Sequence, residues 1–325
     1  MLKMLFVIFF MLLLSYSPAI CYAEGNVFAI LGKSRDDYNF KSVVDGCNKF
    51  AKRNGDSCIN ISSEGAAHPR SQSKALLRAI RRFRLHAVAV SVVNSKSLAK
   101  IINWYKSRVP IITFDSPFSL ADIEAEMVYI GPNNVSIGRS LAAIAQKSYP
   151  NGGTVCIMTD RNDPNLLQRV SGVRMELSCN SSFPGDKRLE GENGWTESVF
   201  SPINSGDCVD RTLAILDKIV NQIKPDVFIA VGHWPILDAS GYRRIMEEHN
   251  TILPDERVFI ACATGEATDE MKKLVEDNLL NAIVGFDFFK IGELCYECMD
   301  LLSKKQPVPL KVDVPLFTIT SESGK

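Results

Sequence analysis

Polar side chains that end apolar, β-branched runs are where this sequence could carry chemistry. Asp115 closes Ile111-Ile-Thr-Phe114, and packing offers no reason for an acid there. Its two carboxylate oxygens can each accept a hydroxyl hydrogen bond, the chemistry that holds a polyol; the alternative is a turn or helix-cap role. Asn133-Asn134 opens a helical pattern after Ile130-Gly-Pro132, where capping accounts for one asparagine and leaves the other over. Arg169 falls on the early turns of the helix after Met158. There it presents a rigid fork of donors, unless it simply faces solvent. Trp234 lies between Val231-Gly-His233 and Pro235, a strand-to-helix turn. An exposed or half-exposed indole in such a turn suits stacking on the C–H face of a sugar ring.

Other constellations carry less. Gly32-Lys33-Ser34 imitates the end of a phosphate-binding loop, but the glycine required five positions earlier is Val27. No G-x-S-x-G elbow and no H-E-x-x-H pair is present, and His68, His86, His233 and His249 stand far apart, so no enzyme is expected. Lys74, Arg78, Arg81, Arg82 and Arg84 share one early helix, as a solvated face or a dock for an anionic partner. Cys295 and Cys298 form a CxxC inside a helical pattern with no second CxxC to complete a zinc site. They read as buried or locally paired cysteines, and neither metal nor cofactor is expected.

The elements that must position these residues alternate in type. Val27–Leu31, Ile59–Ile61, Ala87–Val93 and Pro110–Asp115 read as strands, separated by helical patterns over Asn39–Arg53, Ser73–Arg84 and Ser97–Lys106. A second series follows: extended Met127–Ile130, a helix through Ala145, strand Thr154–Met158 and helix Asn165–Leu177. After an irregular stretch over 180–206 come helix Asp207–Ile223, strand Val227–Val231, helix Ile236–His249 and strand Val258–Ala261. Helix Ala267–Val275, strand Ala282–Val284 and a helix around Ile291 close the series. About ten strands in repeated βα units exceed one comfortable open sheet. The fold class is therefore α/β, with two doubly wound parallel-sheet lobes joined by a hinge.

Composition sets the limits. The 325 residues carry 37 basic and 37 acidic side chains, with 46% apolar and 23% charged residues. That balance argues against nucleic acid as a partner of the whole protein. Lys3, the apolar run Met4–Leu14 and a small-residue ending predict a secretory signal peptide cleaved after Ala23. Ile20 before Cys21 does not suit a lipoprotein signal. The mature chain is expected in the periplasm as a monomer. Eight cysteines then remain, an even number compatible with disulfides, and Cys179 with Cys208 is the preferred pair because they flank the irregular stretch.

In this order, several segments resemble the periplasmic sugar-binding proteins of the ribose-binding type, which share a bilobal fold with the lac-repressor-type core. They are Tyr38–Gly46, Val109–Asp115, Tyr129–Gly138, Gln168–Gly172, Asn193–Thr196, Val231–Pro235 and Val284–Gly292. The resemblance implies a signal peptide at 1–23, one lobe from 24–131 plus 287–312, and the other from 132–286 plus 313–325. It implies hydroxyl binding by Asp115 and Arg169, and wall or stacking roles for Asp37, Phe40 and Trp234. With Asn134, His233 and Asp287, these form the expected ligand-binding set. Two family positions differ: Ala263 or Thr264 stands where an Asp is usual, and Phe286 where a Gln is common, with Asp287 as a substitute. A less hydroxylated or differently shaped sugar-like ligand is therefore implied. The expected function is capture of that ligand by hinge closure and delivery to the permease of an ABC transporter. The alternative is presentation of the closed form to a membrane sensor receptor or histidine kinase.

Overall fold

In the computed structural model, residues 25–321 are described apart from 120, 124–126, 162, 207 and 254–256. The expected signal peptide and its expected cleavage point after Ala23 lie outside the described residues. The first sheet runs in the order β12-β5-β4-β3-β1-β2. Its strands are β1 (Val27–Leu31), β2 (Ser57–Asn60), β3 (Ala87–Val90), β4 (Ile111–Phe114), β5 (Tyr129–Gly131) and β12 (Lys311–Asp313), all paired in parallel. β3 and β4 are buried along their whole length, as expected for central strands covered on both faces.

The covering helices divide between the two faces. α1 (Tyr38–Arg53) packs with α10 (Phe288–Ser303) on one side, through Val43, Cys47 and Ile291. α2 (Pro69–Arg82) and α3 (Ser95–Tyr105) cover the other, inserting Leu76, Ala79, Leu98 and Ile102 against Ala29, Val88 and Val90. The second sheet runs β13-β11-β10-β9-β6-β7, with β8 also paired to β6. It comprises β6 (Gly153–Thr159), β7 (Trp195–Glu197), β8 (Ile203–Asn204), β9 (Val227–Ala230), β10 (Phe259–Ala263), β11 (Ala282–Phe286) and an antiparallel β13 (Leu316–Thr320). Around it lie α4 (Asn134–Ser148), α5 (Pro164–Leu177), α6 (Val209–Lys218), α7 (Trp234–Leu237), α8 (Ala239–Ile252) and α9 (Asp269–Glu276). The chain passes between the sheets three times: after β5, after β11 and between β12 and β13.

Helix starts place polar groups at the strand ends. Asp37, Asn133, Asp163 and Asp287 each cap a helix by accepting a backbone N–H, at α1, α4, α5 and α10. The α4 and α5 axes approach closely because Gly138 and Gly172 face each other's backbone. A Cβ on either would collide with the carbonyl oxygen of Arg169 or of Val135.

Several expectations change. The stretch read as irregular holds β7 and β8, both recruited by β6, and too short for a period-2 pattern to show. The described residues include thirteen strands, more than the ten or so expected, the others being the C-terminal β12 and β13. The helix expected to reach Ile223 is α-helical to Lys218 and then takes a π-helical turn, Ile219–Ile223. Helix Ile236–His249 is two helices, interrupted where Asp238 turns to cap α8 through Gly241 N–H. Cys179 and Cys208 are not paired; both are exposed free cysteines. The disulfide is Cys47–Cys58 instead, joining the buried face of α1 to β2 across a Cα–Cα distance of 5.9 Å. Consecutive packed elements bring these two within bridging range, a proximity invisible in linear spacing. Cys295 and Cys298 are free and buried on α10.

Candidate functional site

The C-terminal ends of strands from both sheets meet around a cavity of about 390 Å³. That is near the lower end of the ~300–1,000 Å³ usual for small-molecule sites. From the first lobe it is lined by Lys33 and Ser34 after β1, Asp37 and Phe40 at the start of α1, and Asp115 after β4. The second lobe contributes Asp160 after β6, Asp163 and Arg169 at the start of α5, and Gly232-His233-Trp234 after β9. Ala263, Thr264 and Phe286 complete that side, and Phe288 at the start of α10 adds to the first-lobe wall.

Asp115 adopts a φ of 57°, in the left-handed region where Asp is among the few tolerated non-glycine residues. The turn is fixed by Asp115 N–H donating to Ile130 O at 3.0 Å and by Tyr129 OH donating to Asp115 O at 3.1 Å. On the side chain, Oδ2 accepts from Ser91 Oγ at 2.8 Å and from Ser116 Oγ at 3.3 Å, and lies 3.1 Å from Lys33 Nζ. Burial by itself would raise the Asp115 pKa, but Lys33, the Ser91 hydroxyl and Arg169 outweigh it and hold the carboxyl below its ordinary value. Burial likewise opposes charge on Lys33, yet the nearby carboxylates of Asp115 and Asp163 raise its pKa above the ordinary lysine value. Asp37 behaves differently: desolvation dominates and raises its pKa, although its carboxylate accepts from Asn39 N–H.

Arg169 is held from two sides. Its Nε donates to Asn134 Oδ1 at 2.9 Å and its Nη1 to Val231 O at 3.0 Å. The guanidinium carbon stands 5.8 Å from the Phe286 ring centroid. Burial lowers its pKa, opposed by Asp115, Asp163 and Tyr129. Asn134 therefore reaches the cavity only through Arg169; its own side chain lines a neighbouring cavity of about 450 Å³ with Tyr129, Asn165 and Gln168. Asp287 is exposed, accepts from Lys290 N–H as the cap of α10, and does not line the cavity. Trp234 is 5% exposed, more buried than its position in a turn suggested, because α7 begins at Trp234 itself, with Pro235 in its first turn, and the indole lies against Gly232.

The two lobes also touch directly. Asn165 Nδ2 donates to Asp115 O and to Ser116 Oγ, both at 3.2 Å. Glu266, after β10, accepts from Ser42 Oγ and from Tyr38 OH, and its N–H donates to Asn39 Oδ1 at 3.4 Å. Within the first lobe, Phe40 at the start of α1 and Phe288 at the start of α10 meet edge to face with centroids 6.0 Å apart.

Sequence reasoning thus brought together Asp37, Phe40, Asp115, Arg169, His233 and Trp234. Lys33, Asp160 and Asp163 were not in the expected set, although they stand at strand ends or a helix start and were findable by the criterion that singled out Asp115; Thr264, noted only as replacing a usual Asp, lines the cavity too. The arrangement offers fixed charged donors and acceptors on one wall and aromatic surface from Phe40, Trp234, Phe286 and Phe288 on the others. Among the described residues, no cluster of three or more His, Cys, Asp and Glu is placed to hold a metal ion.

Residues 28–307 match the family model of a periplasmic binding protein domain. A comparison with curated proteins finds none that matches. Among solved structures, the chain is similar to a carbohydrate transporter solute-binding protein from Agrobacterium radiobacter in complex with D-arabinose. That pair shares 20% identity over 93% of this chain and 96% of the other, with a TM-score of 0.71. A solute-binding protein of an ABC transporter from Agrobacterium vitis, bound with α-D-tagatopyranose, gives 14% identity, coverage of 92% and 95%, and a TM-score of 0.74. Another from the same organism, with bound D-fucose, gives 14% identity, coverage of 91% and 96%, and a TM-score of 0.72.

Proposed function

The chain belongs to the periplasmic binding protein domain family, and on that footing we propose that it captures a sugar or sugar-like molecule between its lobes and delivers it to an ABC transporter. The observation that carries this reading is one cavity with both lobes in its wall: Lys33, Asp37 and Asp115 from one, Asp163, Arg169 and Trp234 from the other. A molecule that touches both walls binds the closed arrangement better than an open one, and that difference in affinity drives hinge closure. Asp115 presents Oδ1 to a hydroxyl while Oδ2 is held by Lys33 and Ser91. Arg169 presents Nη2, its other nitrogens being committed to Asn134 and Val231. The aromatic side chains cover the apolar faces of a ring.

The sugars named for the similar solved structures support the ligand class. We propose a first lobe of 24–131 plus 287–312 and a second of 132–286 plus 313–325; the sheet membership of β1–β5 and of β6–β11 supports it, while β12 keeps Asp313 paired with Gly131 in the first sheet. We further propose that the protein is exported after cleavage at Ala23, acts as a monomer and binds without turning its ligand over.

A thermal-shift screen over sugars, polyols, furanones and amino-sugar derivatives tests the reading, since a ligand that binds only the folded state raises its stability. At least one member of these classes is expected to raise Tm, and Asp115→Ala and Arg169→Ala are each expected to abolish that rise. A ligand that shifts both variants as it shifts the wild type refutes the site, and turnover of that ligand refutes the binding-only role.

A further inference from the structure

The near-zero net charge conceals a strong asymmetry. From residue 65 to residue 114 there is no acidic residue. The α2 segment carries Arg70, Lys74, Arg78, Arg81, Arg82 and Arg84, and the α3 segment adds Lys96, Lys100, Lys106 and Arg108; all ten are exposed. Taking these ten from the 37 basic residues leaves 27 against 37 acidic ones in the rest of the chain. The two helices lie side by side on the same face of the first sheet, where Ser73 Oγ donates to Ser97 O at 3.3 Å. At about 100° per residue, Arg70, Lys74, Arg78 and Arg81 form one stripe on α2. Lys96, Lys100 and Trp104 form another on α3, opposite the buried Leu98 and Ile102.

Apolar groups punctuate this cationic face. Trp104 is 70% exposed and Phe83 41% exposed. Beside α2, Arg78 and Arg82 line a groove of about 430 Å³ with Arg35, Ser62, Ser63 and Glu64. Within it, Arg35 Nε is buried and has no hydrogen-bond acceptor. Phe83, Arg84, Trp104, Lys106 and Arg108 stand at the C-terminal ends of α2 and α3, which lead into the starts of β3 and β4. These five stand at the end of the sheet opposite the ligand cavity, whereas Arg35, Ser62 and Ser63 follow β1 and β2 at the cavity end, so the face runs the length of the sheet on its outer side.

We propose that the α2–α3 face is a docking surface for an anionic phospholipid membrane. Ten cations spread along two helices, with few preorganised partners, fit a laterally continuous negative surface better than a single acidic side chain on a protein. Exposed Trp104 suits the headgroup layer, where its amphipathic ring is stable with one edge wet, and Phe83 adds apolar surface to insert beside it. The groove at Arg35 and Arg82 offers donors to a lipid phosphate. The attraction is reversible and salt-sensitive, because screening shortens its reach from ~10 Å at 0.1 M to ~3 Å at 1 M salt.

The test is co-sedimentation of the mature protein with vesicles of phosphatidylcholine containing one third phosphatidylglycerol, against vesicles of phosphatidylcholine alone. Binding is expected only to the anionic vesicles and is expected to vanish at high salt. Trp195 and Trp234 are buried, so a blue shift of emission on binding reports Trp104, and Trp104→Phe should remove it. Arg78→Gln/Arg81→Gln/Lys100→Gln is expected to weaken binding roughly a hundredfold, at about fivefold per charge removed near the surface. Arg78→Lys/Arg81→Lys should bind nearly as the wild type does. Lys147→Gln/Lys272→Gln/Lys305→Gln removes equal charge elsewhere and should leave binding intact. Several results each overturn the proposal: no binding to anionic vesicles at low salt, equal binding to neutral ones, equal loss in both triple variants, or retention only by an acidic protein surface.

Discussion

Replacing Lys33 with methionine tests whether the charged wall of the cleft is organised as described. In the wild type, Lys33 Nζ sits 3.1 Å from Asp115 Oδ2, with side-chain exposures of 25% and 14%. At an effective dielectric of ~20 the attraction at that distance is about 5 kcal/mol, most of it offset by the desolvation of both ions. Lys33→Met removes the attraction and leaves the desolvated carboxylate with two hydroxyl donors. Full burial would make that loss ~3–5 kcal/mol; discounted for partial exposure, about 2 kcal/mol is expected. The signs along pH are definite. The folded-state pKa of Asp115 is depressed, so its stabilisation is present above its unfolded value of ~3.9 and is lost as pH falls through the folded value. That of Lys33 is raised, so its share is complete below ~10.4 and is lost only as pH rises through the folded value. In Lys33→Met only the Ser91 hydroxyl and Arg169 still oppose burial at Asp115, so its carboxyl is held down less and the variant loses less stability on acidification than the wild type does. Urea unfolding at pH 7 should show the deficit of about 2 kcal/mol, shrinking towards zero at pH 3. Adding Asp115→Asn to Lys33→Met should recover part of it at pH 7. An equal deficit at both pH values, or strictly additive losses in the double variant, refutes the coupling.

Three further outcomes are expected. Cys47→Ser/Cys58→Ser opens a loop of sequence separation 11, which in the chain-entropy account lowers stability by ~3 kcal/mol. Denaturation with and without reductant checks this, because the reductant should affect only the wild type. Arg174 and Glu197 form an almost fully buried pair, Nε to Oε1 at 2.7 Å, and Glu197 also accepts from Leu189 N–H and Ser201 Oγ. Arg174→Met should therefore cost ~3–5 kcal/mol in equilibrium unfolding, and Arg174→Met/Glu197→Gln less than that. Asn134→Ala removes the acceptor for Arg169 Nε and should reduce sugar affinity by roughly tenfold, at ~1.5 kcal/mol for a hydrogen bond to a charged group. Titration calorimetry against the ligand found by thermal shift decides it, and an unchanged affinity would show that Val231 O alone positions the guanidinium.

Much of the fold was legible because parallel strands buried on both faces write themselves as unbroken apolar runs, as in Phe28–Leu31 and Val227–Ala230. β7 and β8 were not, since strands of three and two residues exist only through pairing with β6. Within the site, Asp115 was conspicuous because nothing about packing explains an acid after Phe114. Lys33 follows its strand in the same way, but its Gly-Lys-Ser setting invited comparison with a phosphate loop, and failure of that motif hid the simpler observation. Asp163 reads equally well as a cap, and it is one, accepting from Asn165 N–H while also facing the cavity. Asn134 and Trp234 show the remaining gap: whether a residue touches the cavity or supports a neighbour depends on the Gly138–Gly172 contact and the turn at Pro235, neither readable from residue type.

The cleft groups are costly to orient and are already oriented. Arg169 is fixed by a buried asparagine and a strand-end carbonyl, and Asp115 by two serines, a lysine and a backbone turn. Side-chain ordering of ~0.5–1.5 kcal/mol per residue is thereby met in folding rather than in binding. The lobes meanwhile meet through Glu266 with Ser42, Tyr38 and Asn39, and through Asn165 with Ser116. Those contacts favour the closed arrangement whatever occupies the cavity, so they set the resting balance that a ligand has to shift. The apparent affinity is the intrinsic one scaled by the fraction already competent to bind. Strong direct contacts would raise that fraction but shrink the change a ligand produces. Here the direct contacts are a few rim hydrogen bonds, whereas the charged and aromatic surface is concentrated inside the cavity. The larger part of the closing free energy is therefore left to the ligand, as a protein whose closed state reports occupancy requires.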